Sequence, residues 1–132
     1  MFKPIAAFTI LLACLPLAAQ QDKFAGTWEA RFKDKVICTM RIKAGDPITG
    51  ETSACSISVD ANGDLQEPDH DAAPDSPSPM LNIQIHGDTL TFEDKEDDDV
   101  IKFEMKLTAD GQAALTILNA PMQVKPIPFT RK

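Results

Sequence analysis

From Phe24 onward, apolar and polar side chains alternate in segment after segment. Trp28, Ala30 and Phe32 alternate with Glu29, Arg31 and Lys33, and Cys38, Met40 and Ile42 alternate with Thr39, Arg41 and Lys43. Period two with one apolar side predicts half-buried β-strands. After a polar interval the pattern resumes. Leu81, Ile83 and Ile85 alternate with Asn82, Gln84 and His86, and Leu90 and Phe92 with Thr89, Thr91 and Glu93. Ile101, Phe103, Met105 and Leu107 then alternate with Lys102, Glu104 and Lys106. The pattern predicts eight strands, at about 26–32, 36–44, 49–59, 81–86, 89–94, 100–108, 112–118 and 124–131. Past the N-terminal segment, no stretch longer than ten residues has helical periodicity.

The turns between these segments set registers that can be tested. A Lys33-Asp34-Lys35 turn that places Phe32 against Val36 also sets Ala30 against Cys38 and Trp28 against Met40. A turn at Gly45-Asp46-Pro47-Ile48 that pairs Ala44 with Thr49 puts Cys38 opposite Cys55. Facing cysteines on neighbouring strands lie within bridging distance, so a Cys38–Cys55 disulfide is expected, worth roughly 3 kcal/mol for a loop of this size. Gly87-Asp88 suits a two-residue type II′ turn, which pairs His86 with Thr89, Ile85 with Leu90 and Ile83 with Phe92. A loop at Ala109-Asp110-Gly111 sets Leu107 against Ala113, Met105 against Leu115 and Phe103 against Ile117. Pro126 and Pro128 make the last strand an edge or closing strand, because proline lacks the donor that a central strand needs.

Every register brings apolar faces together on one side. The predicted class is all-β: a single antiparallel up-and-down meander barrel of eight strands, whose closure removes exposed edges. A β-sandwich is the alternative, with residues 60–79 long enough to supply its crossing connection.

Met1 to Gln21 reads as a targeting segment, with Lys3, an apolar run from Ile5 to Leu15 and small residues at Leu17-Ala18-Ala19. Residues 1–20 are read as a signal peptide and 21–132 as one domain, secreted or periplasmic. The run is shorter than the ~20 residues a spanning helix needs. The alternative is a lipoprotein anchored through Cys14, because Leu11-Leu12-Ala13-Cys14 resembles a lipobox. If Cys14 leaves with the signal, three cysteines become two, and an even pair in an exported chain favours a disulfide. The exported part then holds 12 basic against 20 acidic residues. A net charge near −8 argues against nucleic acid and anionic membrane surfaces as partners.

Candidate chemistry is sparse. Residues 60–79 carry six acids, four prolines and no Lys or Arg, which predicts a long, mobile acidic loop. Asp60-Ala61-Asn62-Gly63-Asp64 invites a calcium reading, but an EF-hand loop wants glycine at its sixth position and Glu at its twelfth, so Asn62-Gly63 is read as a turn. His70 is read as a solvated, acid-flanked loop residue and His86 as outward-facing. The run from Glu93 to Asp99 is read as a solvated turn. No glycine-rich phosphate loop, H-E-x-x-H or C-x-x-C occurs. Interior acid-base candidates reduce to Glu51, beside Ser53, and Asp94. No enzyme activity, metal or cofactor is therefore expected.

Phe24-Ala25-Gly26-Thr27-Trp28, with Arg131 in the last strand, resembles the pattern of the calycins, the small β-barrels that include lipocalins, fatty-acid-binding proteins and avidins. The resemblance implies that Trp28 closes the barrel floor, that Arg131 packs over it, and that the other end holds a cavity for a small apolar ligand. Avidin-like biotin binding is not expected from a chain with no Tyr and one Trp. The helix that follows the strands in lipocalins is missing.

Two functions follow. One is a binding barrel whose cavity is lined by some of Met40, Ile83, Phe92, Phe103 and Met105. The other is a protein-interaction or envelope-maintenance module with a solid core, meeting another exported protein. Cavity volume discriminates them, since ligand pockets run to ~300 Å³ or more.

Overall fold

A computed structural model of the chain describes residues 17–68, 70–72 and 77–132. The first sixteen residues, including Cys14 and most of the segment read as a signal, lie outside the described residues. So do Asp69 and residues 73–76 of the acidic stretch. A short helix, α1 (Leu17–Asp22), precedes the first strand. No helix among the described residues is long and apolar enough to cross a membrane.

The strands are β1 (Gly26–Phe32), β2 (Lys35–Lys43), β3 (Thr49–Ser53), β4 (Ser78–Pro79), β5 (Leu81–His86), β6 (Thr89–Glu96), β7 (Asp99–Ala109), β8 (Gln112–Ile117) and β9 (Ile127–Arg131). Among the described residues there are nine, not eight, and they form one antiparallel sheet in the order β4-β3-β2-β1-β9-β8-β7-β6-β5. Every neighbour in that order is consecutive in sequence except β1 and β9, whose pairing brings the two ends of the meander together. The result is a nearly closed barrel rather than two packed sheets. The last strand is therefore a closing strand, with neighbours on both sides.

The extra strand is the two-residue β4, and it explains how the barrel nearly shuts. β4 pairs with β3, β5 pairs with β6, and only Met80 separates them in sequence. One short piece of chain thus runs along both edges. Met80 is buried there and its amide donates to the Gly50 carbonyl at 2.8 Å. Gly50 leaves room for it, since a Cβ at that position would lie 2.5 Å from the Met80 sulfur.

Alternation sends Trp28, Ala30, Cys38, Met40, Ile42, Leu90, Phe92, Met105, Ala113, Leu115, Ile127 and Phe129 into one buried core, joined by Phe24 and Met80. Phe92 and Phe103 stack with ring centroids 4.8 Å apart. The expected pairs Ala30 with Cys38, Trp28 with Met40, Ile85 with Leu90, Leu107 with Ala113, Met105 with Leu115 and Phe103 with Ile117 all form.

Several local features differ from the expectation. The loop expected at Ala109-Asp110-Gly111 is a two-residue turn, because Ala109 pairs with Gln112 after a register shift between Leu107 and Ala109. The first hairpin turns on Lys33 and Asp34 alone, both with positive φ, so Phe32 faces Lys35, and an irregularity at Ala30/Arg31 restores the register beyond it. The turn after β2 spans five residues, because Lys43 rather than Ala44 pairs with Thr49. A register shift between Leu81 and Gln84, with Asn82 at φ 52°, replaces the Ile83–Phe92 pair. Two strand ends also move: β3 stops at Ser53 rather than 59, and β9 starts at Ile127 rather than 124.

Candidate functional site

The two ends of the barrel differ. At one, Trp28 is fully buried and donates from Nε1 to the Phe24 carbonyl at 2.8 Å. Trp28 pairs with Arg131 across β1 and β9, and the Arg131 guanidinium carbon lies 5.4 Å from the Trp28 ring centroid. The same guanidinium donates to the carbonyls of Asp22, Lys23 and Ala25 at 3.1–3.4 Å. Gly26 makes this stacking possible. Its φ of +128° suits glycine, and a Cβ there would meet the Arg131 stem at 3.2 Å. Trp28 and Arg131 plug this end, leaving beside Arg131 an open groove of about 290 Å³ lined by Lys23, Asp88 and Asp110. Gln21, whose side-chain amide both donates to and accepts from Gly45, ties the end to the turn after β2.

The opposite end opens into a cavity of about 910 Å³. Its inner wall holds the Cys38–Cys55 disulfide, Met40 and Leu115; higher up come Ile101, Phe103 and Ile117. Ile57 and Val59 close one side, and Met122 and Val124 lie along another. Of the five residues expected to line a ligand site, Met40 and Phe103 do so. Phe92 and Met105 are buried in the core beneath, and Ile83 packs against the core from β5.

The disulfide forms by a different route from the one expected. Continuing the observed register would set Cys38 opposite Ala54, not Cys55. The strand ends at Ser53, Ala54 takes a left-handed φ of 46°, and the chain swings Cys55 onto Cys38 while the Ser56 amide donates to the Ile37 carbonyl at 2.7 Å. The same shift turns Glu51 outward against Arg41 and brings Thr52 inward opposite Met40. Glu51 is thus no interior acid.

The run from Glu93 to Asp99 is not simply a turn. β6 and β7 extend through it to a two-residue turn at Asp97-Asp98, with Glu96 opposite Asp99 and Asp94 opposite Ile101. Alternation carries on unchanged, so Asp94 and Glu96 share the inward side of Phe92, and Asp99 shares that of Ile101 and Phe103. All three acids line the cavity mouth. Asp94 accepts a hydrogen bond from the Ser78 hydroxyl at 2.6 Å. Hydropathy alone misses such positions, but strand parity finds them.

A lobe beside the mouth is built from part of the acidic stretch. Val59 bridges to Leu65, and Asp60 Oδ1 accepts from the amides of Asn62 and Asp64 at 2.8 and 3.1 Å, which makes Asn62-Gly63 a turn. Gly63 lies so close to the chain at Gln123 that a Cβ would sit 2.5 Å from the Gln123 carbonyl oxygen. The Lys125 amide donates to the Gly63 carbonyl, and the Lys125 ammonium reaches Asp64 at 2.6 Å. Further on, Asp71 and Ala72 bond to Val36, so the described part of the expected mobile loop is pinned at several points. His70 and His86 are both exposed. Among the described residues, no three His, Cys, Asp or Glu side chains cluster as metal ligands would.

No protein-family model, no curated protein and no solved structure matches this chain. A disulfide on its wall is consistent with an oxidising, exported environment.

Proposed function

We propose that this chain is a non-enzymatic, exported barrel that binds a small apolar ligand in the cavity opposite Trp28. The observation that carries the reading is the cavity itself. At about 910 Å³ it lies in the range of ~300–1,000 Å³ typical of small-molecule sites. Most of its wall is aliphatic or aromatic, and an apolar ligand gains by leaving water there. The contact of Arg131 with Trp28 further supports the likeness to calycins, whose ligands enter at the end away from such a floor.

Nile red, an uncharged dye that brightens in apolar surroundings, tests the reading. Binding of one dye per chain is expected, and Ile101→Trp, which fills the cavity from a half-buried wall position, should abolish it without lowering Tm. Native mass spectrometry of the protein as purified should show a retained small molecule. If no dye binds and no ligand is retained, the reading fails.

One observation favours a second reading, a module that docks on another exported protein. Val100, Leu118 and Met122 are 41 %, 53 % and 49 % exposed. Val100 and Met122 stand at the mouth. That reading gains if Ile101→Trp leaves the cell phenotype of a gene deletion fully complemented while Met122→Asp does not.

A further inference from the structure

We propose that the cavity selects single-chain amphiphiles with a positively charged head group, an inference that rests on the ligand-binding reading above. Parity along β6 and β7 carries it. Asp94, Glu96 and Asp99 continue the inward parity of Phe92, Ile101 and Phe103 and line the mouth of the cavity, Asp94 half-buried and Glu96 and Asp99 exposed. No Lys, Arg or His belongs to the cavity lining among the described residues. The nearest cations on these strands, Lys95 and Lys102, fall on the alternate, outward positions and pair across the ladder with Val100 and Glu93. Lys125, on the neighbouring lobe, is engaged by Asp64 at 2.6 Å.

The hydroxyl of Ser78 donates to Asp94 and fixes the direction of its carboxylate. Three carboxylates lining one opening disfavour an approaching anion and attract a cation. The walls supply the opposite preference, for hydrocarbon. A ligand that satisfies both has its charge at the rim and its chain along Ile101, Phe103 and Leu115, toward Met40 and the disulfide. A volume of about 910 Å³ suits one chain rather than the two of a phospholipid, since drug-sized ligands fill sites of ~300–1,000 Å³. An alkylammonium or an acyl-chain amine has this chemistry, whereas a fatty acid would bring a fourth carboxylate to the mouth.

Calorimetric titration of the whole chain with octyltrimethylammonium, octyl sulfate and octyl glucoside, each below its micelle concentration, tests the proposal. At low salt the cation should bind at least about tenfold more tightly than the anion, a ratio that screened charge contacts of this kind supply. The triple variant Asp94→Asn, Glu96→Gln, Asp99→Asn should lose that preference while keeping its affinity for the glucoside. A control with equal loss of charge at the plugged end, Asp46→Asn, Asp88→Asn, Asp110→Asn, should keep it. If the sulfate binds as well as the ammonium, or if the control loses the preference as fully as the rim variant, the proposal is overturned while ligand binding stands. If none of the three compounds binds, the binding reading itself falls. Should the rim variant fail to fold, salt decides: the cation's affinity must drop between low and high salt while the glucoside's holds, and equal behaviour of the two overturns the proposal.

Discussion

Glu29 points outward from β1 between two cations. Arg31 Nε lies 2.6 Å from one of its carboxylate oxygens and Lys132 Nζ 3.1 Å from the other. Burial pushes its pKa up, but the hydrogen bonds and attraction from Arg31 and Lys132 outweigh that and hold the carboxyl below its ordinary value of 4.5. A depressed folded-state pKa means a contribution to stability that is present above about 4.5 and lost as the pH falls through the folded value. Both cations are more than half exposed, so solvent screens these contacts and their contribution is small. Glu29→Gln should therefore lower stability slightly at neutral pH, and the gap from the parent should close as urea melts are repeated at increasingly acid pH. A gap that stays constant down to pH ~3 would show that these contacts carry no charge-dependent stability. At this scale the sequence is a poor guide. Glu29, Arg31 and Lys132 are ordinary surface residues in the pattern, and only the β1–β9 pairing makes the chain's last residue a neighbour of β1.

The hairpins show why some elements can be read from sequence and others not. Where a short turn lies between two runs with strong apolar alternation, as at Gly87-Asp88, only one register buries both faces next to the turn, and the pattern finds pairs such as Ile85–Leu90 and Met105–Leu115, though not the shifts at Leu81/Gln84 and Leu107/Ala109. After β2 the next strand is Thr49–Ser53, with no large apolar side chain to fix the register, and the turn is one residue longer than the pattern suggests. Ala54 then corrects the offset for the cysteine, though not for Glu51. The disulfide closes a sequence separation of 17 residues, and Cys38→Ala with Cys55→Ala should cost roughly 3 kcal/mol. A matching fall in Tm on addition of reductant to the parent, with none in the double variant, would confirm that this bridge and no other effect is responsible. Acids on interior parity are the other blind spot: Asp94 and Glu96 continue the Leu90–Phe92 face, but polarity makes them read as solvent-facing. The same limit applies to the cavity. Parity says that Met40, Phe92, Phe103 and Met105 all face in, but not how deep each sits along the barrel, and depth separates Met40 and Phe103 from the buried pair below.

At the level of the whole molecule, two contacts decide whether the sheet is a barrel. One is the seam at Met80. Met80→Ala removes a buried side chain that fills the space over Gly50, and a cost of about 2–5 kcal/mol is expected. Hydrogen exchange should then show the β3 and β5 amides opening well before those of β7 and β8, and uniform protection would mean that the seam is not the weak point. The other contact is the β1–β9 pair, Trp28 with Arg131 and Glu29 with Thr130. Its partners are separated by about a hundred positions, so its loop-closure entropy falls on the final stage of assembly and slows it. A chain growing from the ribosome can stack its hairpins one by one, yet β1 waits for β9, which follows all the other described strands. Until then a bare edge is open to other chains, and protection from aggregation during synthesis becomes as much a requirement of this topology as any property of the finished barrel.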